Sequence, residues 1–408
     1  MRKIICFLGA RPSKCTYLWN NIEQVEGEQF AEVLIRKEQF DQMWVFSTEE
    51  ARKSTYPLLE KYGDPRINPV DIPDGNQAGD YWVIFEKVIE KIDENDEVIF
   101  DITHGFRSLP FLTFLFAAYL KTARNAVIVA VYYGALEMAR SHPDGLAPVL
   151  ELSEFVKMLD WIIAADLFLQ TSDARKLATL LERRSGTSKK AAKNLEAVSL
   201  AAFLCQPFSL GAQSGNISPN LEAAATEFSI TSIPFTVLAN RIADHFSALS
   251  LTSGASDEDK IILEYRLIRR YYSDKQWVQF VTLSREWLID VVTAHLGEPL
   301  DFSRKSRSQF EDSINILSLQ GSPFPNGKRN YDQSDLNKWG IIIQTWDEKE
   351  IILKAWRDIR TIRNQIDHAE HQAPSLLIAL DNMEKKMAKI YTSIQKLAET
   401  WHYDHFEK

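Results

Sequence analysis

The segment 101-DITHGFRSLP-110 combines groups that bind anions, and it falls where a predicted strand passes into a predicted helix. Thr103 offers a hydroxyl, His104 an imidazole and Arg107 a guanidinium, while Gly105 leaves backbone amides accessible. Phosphate or nucleotide binding is a natural use of such groups, because a helix N-terminus presents free N–H groups and the positive end of its dipole. The structural alternative is that Gly105 only permits a tight turn and Arg107 pairs with a nearby carboxylate.

Two further loops follow predicted strands at the same sheet edge. The first is 8-LGARPSK-14, with Gly9 and Arg11, and the second is 133-YGALEMAR-140, with Gly134. Ligands of open α/β sheets bind at the carboxyl ends of the strands, so we expect several short loops to contact one ligand together. None of these loops contains the G-x-G-x-x-G pattern, and a dinucleotide site is therefore poorly supported.

Another run, 361-TIRNQIDHAE-370, carries residue types that could cleave a phosphodiester bond. Arg363 and His368 are five positions apart, which separates them by about 140° on an ideal helix. Asn364 and His368 are four apart and share a face, so the amide could orient the imidazole. Arg363 and Asp367 are also four apart, and the structural alternative is a surface ion pair worth about 0.3–0.5 kcal/mol.

A symmetric dimer would give this Arg and His spacing a chemical use. Packing the helix against its counterpart would bring two Arg363 and two His368 side chains into one groove. Arg363 would hold the scissile phosphate and its developing charge, and His368 would act as general acid or base on a 2′-hydroxyl or on the leaving 5′-oxygen. That reaction needs no metal, and Cys6, Cys15 and Cys205 have no metal or redox spacing.

The pattern of elements divides the chain into an α/β part and a helical part. Strand-like and helix-like runs alternate in the first 150 residues and predict a doubly wound α/β domain with parallel strands. Asp80 and Ser108 are placed to cap two of its helices. The predicted strands are 4–10, 42–48, 67–72, 97–103 and 126–134, and the predicted helices are 49–63, 80–92 and the one after Ser108.

The remainder of the chain has the periodicity of helices. Apolar residues at 352, 356, 359, 362 and 366 predict one buried stripe on the helix that carries Arg363. The predicted helical runs are 153–182, 188–204, 221–249, 257–296, 349–371 and 374–402, interrupted by loops at 208–220 and 318–335.

Composition excludes several classes of protein. A chain of 408 residues favours at least two domains, and a formal net charge of −9 excludes a broad basic surface that coats nucleic acid, so any such contact needs a local cleft. The basic stretches 174–193 and 266–277 are more simply solvated helix faces. The N-terminal apolar run is too short for a signal peptide and 109–123 is too short to span a bilayer, which predicts a cytoplasmic protein without a membrane partner.

Together these motifs resemble the CARF-HEPN ribonucleases of type III CRISPR systems. The resemblance rests on 101-DITHGFRSLP-110, 134-GALE-137 and 363-RNQIDH-368, each in the expected part of the chain. It implies three regions, which are a Rossmann-like CARF ligand-sensing domain at 1–152, a helical linker region at 153–255 and an all-α HEPN ribonuclease domain at 256–408.

The resemblance also implies an activity and its residues. In that family the CARF domain binds a cyclic oligoadenylate, and the dimeric HEPN domain then cleaves single-stranded RNA without a metal and leaves a 2′,3′-cyclic phosphate. For this chain it implies a homodimer or higher homo-oligomer, cyclic tetra-adenylate as the favoured activator, no cofactor and no metal. It assigns Arg363, Asn364 and His368 to catalysis. The residues that it assigns to the activator are Gly9, Ala10, Arg11, Thr103, His104, Gly105, Phe106, Arg107 and Gly134.

Two other functions stay open on the sequence. The chain could be a non-catalytic, ligand-sensing regulator whose helical domain binds nucleic acid or a partner. The CARF site could in addition degrade its own activator slowly, with His104 and Arg107 taking part. In either case the family implies that ligand binding shifts a bistable dimer rather than supplying a catalytic group.

Overall fold

A computed structural model describes residues 1–105, 108–183, 186–227, 232–323, 330–367 and 380–405. The chain forms two compact units, Met1–Asp160 and Trp161–Lys408. The α/β part followed by a helical part confirms the predicted fold class. The three regions with boundaries at 152 and 255 stay a prediction.

The first unit contains eight strands and five α-helices among its described residues. They are β1 (Arg2–Phe7), β2 (Cys15–Trp19), β3 (Glu23–Gly27), α1 (Phe30–Lys37), β4 (Gln42–Ser47), α2 (Glu49–Ser54), α3 (Tyr56–Glu60), β5 (Ile67–Asp71), α4 (Ala78–Glu90), β6 (Glu97–Asp101), α5 (Leu109–Ala123), β7 (Val127–Gly134) and β8 (Ala147–Glu151). A short 3-10 helix, Leu136–Arg140, follows β7.

The strands form one mixed sheet in the order β3-β2-β8-β7-β6-β1-β4-β5. The five predicted strands are β1, β4, β5, β6 and β7, and they pair in parallel as expected. The sequence did not predict β2, β3 and β8, and two of their pairings, β7 with β8 and β2 with β3, are antiparallel. The turn between β2 and β3 places Asn20 and Asn21 at φ 50° and 60°, the conformation that favours asparagine in hairpin turns.

Both faces of the parallel strands are covered by helices. In β1 the side chains alternate between two cores: Ile4 packs on the side of α1 and α3, and Ile5 packs on the side of α4 and α5. The strands therefore consist of nearly continuous apolar residues, which is why periodicity identified them.

Three helix predictions in this unit need correction. The run 49–63 is two helices, because Pro57 lacks an N–H donor and cannot continue a helix from α2, so α3 begins at Tyr56. Helix α4 begins earlier than predicted, at Ala78, and Asp80 accepts from the Asn76 amide at 2.9 Å instead of acting as the N-cap. Ser108 precedes α5 but makes no capping hydrogen bond.

The second unit is helical. Its described helices are α6 (Ser153–Thr171), which begins before the division between the units, α7 (Arg175–Glu182), α8 (Thr187–Phe203), α9 (Pro207–Ser214), α10 (Ile217–Ala225), α11 (Ser232–Ser247), α12 (Asp257–Ser273), α13 (Trp277–His295), α14 (Arg304–Leu319), α15 (Lys338–Ile343), α16 (Lys349–Asp367) and α17 (Leu380–Thr400). Helix α16 packs against α13, α14 and α17 around the buried Trp287 and Ile359. No helix among the described residues is long and apolar enough to cross a membrane.

The predicted loop 208–220 is wrong. Helices α9 and α10 occupy most of it, and Gly211 is buried where an added Cβ would lie 2.7 Å from Leu251 Cβ and from Leu263 Cδ2. This glycine permits close helix packing rather than a flexible loop, a use that single-chain composition does not distinguish. Of the other predicted loop, 324–329 lies outside the described residues.

The long helical runs are shorter helices with sharp breaks. Ser172 has φ 60° between α6 and α7, and Lys275 has φ 54° between α12 and α13. Both breaks lack the glycine that normally marks such a position, so the sequence periodicity predicted one continuous helix in each case.

Candidate functional site

The sheet order creates a crevice between β1 and β6. Among the parallel strands, β4 and β5 lie on one side of β1, while β6 and β7 lie on the other. Ligands of doubly wound sheets bind outside the carboxyl ends of the strands at such a switch point. The loops that carry Gly9 and His104 begin there, and a Cβ on Gly9 would lie 3.6 Å from His104 Cβ. The structure therefore brings these two predicted ligand loops together.

Thr103 connects this crevice to the loop after β7. Its hydroxyl oxygen accepts from the Gly134 amide at 2.8 Å, and its own amide donates to Asp101 Oδ1 at 2.8 Å. Packing also requires a glycine at position 134, since an added Cβ would lie 2.6 Å from Tyr17 Cε1 and 2.8 Å from Phe30 Cδ2. The hydrogen bond from the Gly134 amide thus joins the end of β7 to the loop after β6.

The loop after β1 is held by its carbonyl oxygens. Side chains from the α2 region and from the residue before α1 donate to three successive carbonyls, leaving the Arg11 guanidinium at an exposed position. The bonds are Thr55 Oγ1 to Gly9 at 2.8 Å, Ser54 Oγ to Ala10 at 2.7 Å and Gln29 Nε2 to Arg11 at 3.3 Å.

His104 acts as a hydrogen-bond acceptor in this structure. Its Nε2 accepts from the Phe30 amide at 3.2 Å, at the first residue of α1. Burial lowers the pKa of His104 to about 4, so the ring is neutral near pH 7 and the other nitrogen, Nδ1, carries the proton. The imidazole thus satisfies an amide at a helix start, which gives it a structural role beside the predicted ligand role.

The start of α5 is only partly described. Gly105 has φ 101°, and an added Cβ would lie 2.5 Å from Leu109 Cδ1, so a glycine is required there. Phe106 and Arg107 lie outside the described residues. The assignment of an anion to Arg107 and to the N-terminus of α5 stays a prediction.

Asp101 is a site residue that the sequence analysis did not single out. It is fully buried at the end of β6, and its Oδ2 has no hydrogen-bond partner in the described part of the chain. Burial raises the pKa of this carboxyl to about 7, while the hydrogen bond from Thr103 opposes that rise. An aspartate that ends a run of apolar strand residues was the available signal.

The first unit also contains a cavity of about 690 Å³. It is formed by the segment after β1 and by the 3-10 helix after β7, and its basic residues are Lys14 and Arg140. Lys14 forms an exposed ion pair with Glu26 at 3.3 Å. Neither basic residue was assigned from the sequence, although both fall in the two loops that it indicated.

In the second unit, Arg363 and Asn364 line a pocket of about 420 Å³ between α14 and α16. The predicted apolar stripe of α16 is confirmed, since Ile352, Trp356, Ile359 and Ile362 are buried and Ile366 is partly so. His368 lies outside the described residues, as does the side chain of Asp367. The pairing of Arg363 with His368, and that of Arg363 with Asp367, therefore stay predictions.

Arg285 lines the same pocket, which the sequence did not indicate. Its guanidinium forms ion pairs with Glu286 and Glu311, and it lies 5.6 Å from the centre of the Trp356 ring. The indole of Trp356 donates to Asn315 Oδ1 at 2.8 Å. The ion pair of Arg285 with Glu311 therefore joins α13 to α14.

A buried acidic cluster continues from this network. Arg307 donates to Glu286 Oε2 at 2.6 Å and to Asp290, and Glu264 lies against Asp290 at 2% exposure. Burial, reinforced by the charge of Asp290, raises the pKa of Glu264 well above its ordinary value. The raised pKa favours the neutral form of the Glu264 carboxyl, and hydrogen bonding with Asp290 contributes to the rise. In the described ranges no group of three or more His, Cys, Asp or Glu side chains is arranged to hold a metal ion.

Two regions of the chain match protein-family models. Residues 73–137 match the CARF domain of the CRISPR system endoribonuclease Csx1, and this range includes Thr103, His104 and Gly134 of the crevice. Residues 157–253 match the second domain of the CRISPR-associated protein MJ1674. Both matches are to CRISPR-associated proteins, and the match in the first unit is to a CARF domain, in agreement with the resemblance that the motifs indicated.

Individual relatives are more distant. The CRISPR-associated protein MJ1674 of Methanocaldococcus jannaschii is 26% identical over 163 residues, which are 37% of this chain and 25% of that protein. This chain thus matches a quarter of the length of that relative. A solved structure, Enterococcus italicus Csm6 bound to cyclic hexa-2′-fluoro-hexa-dAMP, aligns over 100% of this chain and 96% of its own, with 10% identity and a TM-score of 0.45.

Proposed function

We propose that the chain is an endoribonuclease of CRISPR antiviral defence that a cyclic oligoadenylate activates. The observation that carries the sensing part is the crevice at the carboxyl ends of β1 and β6, where the Gly9 loop meets His104. His104 lies in the range that matches a CARF domain. Gly9 and Gly105 lie next to each other at that crevice, and residues without a side chain let a nucleotide phosphate approach the main chain closely. A cytoplasmic location suits this activator and substrate.

The proposed ligand is a ring with several phosphates, and cyclic tetra-adenylate is the favoured size. A symmetric ring suits two copies of one crevice, so the proposal includes a homodimer. Helix α5, which follows the Thr103 loop, has large apolar side chains on its exposed face: Phe111 is 75% exposed, Phe114 40%, Leu115 42% and Tyr119 44%. Exposed apolar patches of this kind mark protein contacts, and a second copy is the partner that two-fold ligand symmetry requires.

The proposed reaction is metal-independent cleavage of single-stranded RNA. The 2′-hydroxyl loses its proton to a base and attacks the adjacent phosphorus, the bond to the 5′-oxygen breaks, and that oxygen receives a proton. A 2′,3′-cyclic phosphate and a free 5′-hydroxyl result. We assign proton transfer to His368, phosphate binding to Arg363 and orientation of the imidazole to Asn364, with support from the pocket that Arg363 and Asn364 line.

The test compares cleavage of a single-stranded RNA by wild type and by His368→Ala, each with and without cyclic tetra-adenylate. Wild type should cleave only with the activator, and His368→Ala should lose at least a hundredfold in rate. The control is His371→Ala, which removes a neighbouring imidazole outside the motif. Cleavage that survives in His368→Ala would remove this residue from the mechanism, and a wild type that binds the activator without cutting RNA would identify a non-catalytic regulator.

Slow cleavage of the activator by the CARF site is a separate question. The engaged Nε2 and low pKa of His104 make it a poor proton acceptor in this conformation. We expect His368→Ala to leave cyclic tetra-adenylate intact over hours, as measured by chromatography, and a linear product would contradict that expectation.

A further inference from the structure

The pocket between α14 and α16 has room for more than the catalytic groups assigned above. Its volume of about 420 Å³ suits one nucleotide, and its lining includes basic, acidic and apolar side chains. The basic side chains are Arg285, Arg360 and Arg363, the acidic ones are Glu311 and Asp312, and Ile316, Leu319 and Tyr331 are part of the wall.

The charged side chains of this pocket differ in whether they already form ion pairs. Arg285 and Glu311 neutralise each other, with Glu286 as a second partner of the guanidinium. Arg360 and Asp312 are exposed, and neither makes a hydrogen bond or an ion pair with the residues that the structure describes. A cation and a carboxylate therefore remain available to a ligand.

The spacing of the two arginines on α16 suits consecutive phosphates. Arg360 and Arg363 are three residues apart, so they lie on one helix face with about 5–6 Å between their Cβ atoms. Both line the pocket, whereas the neighbouring Arg357 does not and instead donates to the carbonyl of Leu353. The base of the same nucleotide would contact the apolar wall and the Tyr331 ring, because aromatic rings stack on bases of any identity.

Asp312 cannot face a phosphate, because like charges repel. A carboxylate accepts hydrogen bonds from the exocyclic amino group of a base, as it does from cytosine N4 in other complexes. Uracil lacks an amino group, and carbonyl oxygens flank its only N–H donor. Asp312 is therefore suited to discriminate adenine, cytosine and guanine from uracil.

We propose that this pocket binds the nucleotide next to the cleaved bond of single-stranded RNA, with Arg360 on its phosphate and Asp312 on the amino group of its base. The inference rests on the proposed ribonuclease function for the position of the cut. The binding step itself requires only that RNA enters the pocket.

Binding is measured with full-length His368→Ala, saturated with cyclic tetra-adenylate, and a fluorescent 12-nucleotide RNA at several salt concentrations. Adding Arg360→Gln should raise Kd about tenfold and reduce the slope of log Kd against log salt by about 0.7, the effect of one lost phosphate contact on a single strand. Arg357→Gln on the same helix should change neither, and Arg360→Lys should restore the slope. An Arg360→Gln variant with the Kd and slope of the Arg357→Gln control would overturn the proposal.

Base discrimination is measured with RNAs that carry cytosine or uracil at a single varied position. His368→Ala should bind the cytosine RNA more tightly than the uracil RNA. Adding Asp312→Asn should reduce that preference at least threefold. An equal preference in both proteins would refute the role of Asp312. If active wild type cuts RNA while Arg360→Gln and Asp312→Asn change nothing, the pocket assignment fails and the function stands. If wild type never cuts but Arg360→Gln still weakens binding, the ribonuclease function fails and the RNA site stands.

Discussion

Gly134→Ala should destabilise the first unit, although the resemblance assigned this glycine to the ligand. The added methyl would lie 2.6 Å from Tyr17 Cε1 and 2.8 Å from Phe30 Cδ2. Both rings are fully buried and pack edge to face with 5.1 Å between their centres, so neither can move aside without disturbing the other. Overpacking of this kind costs about 1–3 kcal/mol, and the reduced entropy of the unfolded chain offsets about 0.4–1 kcal/mol of it. We expect a net loss of about 1–2 kcal/mol.

Gly9→Ala is the matched control, because both glycines were assigned to the ligand. At Gly9 the new methyl would lie 3.6 Å from His104 Cβ, an ordinary contact, so this variant should be as stable as wild type. Unfolding in urea is monitored by hydrogen-exchange mass spectrometry of peptides from β7. This gives the unfolding midpoint of the first unit separately from that of the second. With an m-value of about 2 kcal/mol/M, Gly134→Ala should lower the midpoint by about 0.5–1 M. Equal midpoints for the two variants would refute the packing argument.

Three further predictions concern titration and buried hydrogen bonds. Because the folded pKa of His104 is lowered to about 4, the unfolded chain binds its proton first, so the first unit should lose stability as pH falls from 6.5 towards 4. His104→Gln should flatten that dependence of the urea midpoint on pH. Because the folded pKa of Glu264 is raised, the wild-type protein should lose stability as pH rises above 4.5. The amide of Glu264→Gln can donate to Asp290 without carrying a charge. This variant should therefore be more stable than wild type at pH 7 but not at pH 4. Trp356→Phe leaves Asn315 Oδ1 without its donor and should cost about 1–2 kcal/mol in urea unfolding of the second unit; an unchanged midpoint would contradict it.

The central sheet could be predicted from the sequence because its strands are buried on both faces. Residues 4–7 of β1 are apolar without interruption, and the same holds for most of β6. Strands β2 and β3 are more exposed and more polar, and their signal was the Asn20–Asn21 turn rather than a hydrophobic run. The helices α9 and α10 were missed because a glycine that serves close packing has the same composition signal as a glycine in a loop.

The candidate site was predictable where it depends on topology and not where it depends on partners distant in sequence. Strand order places Gly9 beside His104, and alternation along the chain was enough to expect that meeting. The bond from the Phe30 amide to His104 joins residues 74 positions apart, and no local pattern indicates it. The same is true of Arg285 and Glu311, which only the packing of α13 on α14 brings together.

The charge of the chain limits how RNA can bind to it. A formal net charge of −9 leaves few places with a local excess of positive charge, and the pocket of α16 has three guanidiniums against two carboxylates. If Arg360 and Arg363 contact two phosphates, the slope of log K against log salt for single-stranded RNA should be near −1.4, since each contact contributes about −0.7. A protein that coats RNA through six to ten phosphate contacts would give a slope about three to five times steeper. A steep slope would therefore show that RNA follows a broad basic surface, and it would contradict binding through a narrow pocket.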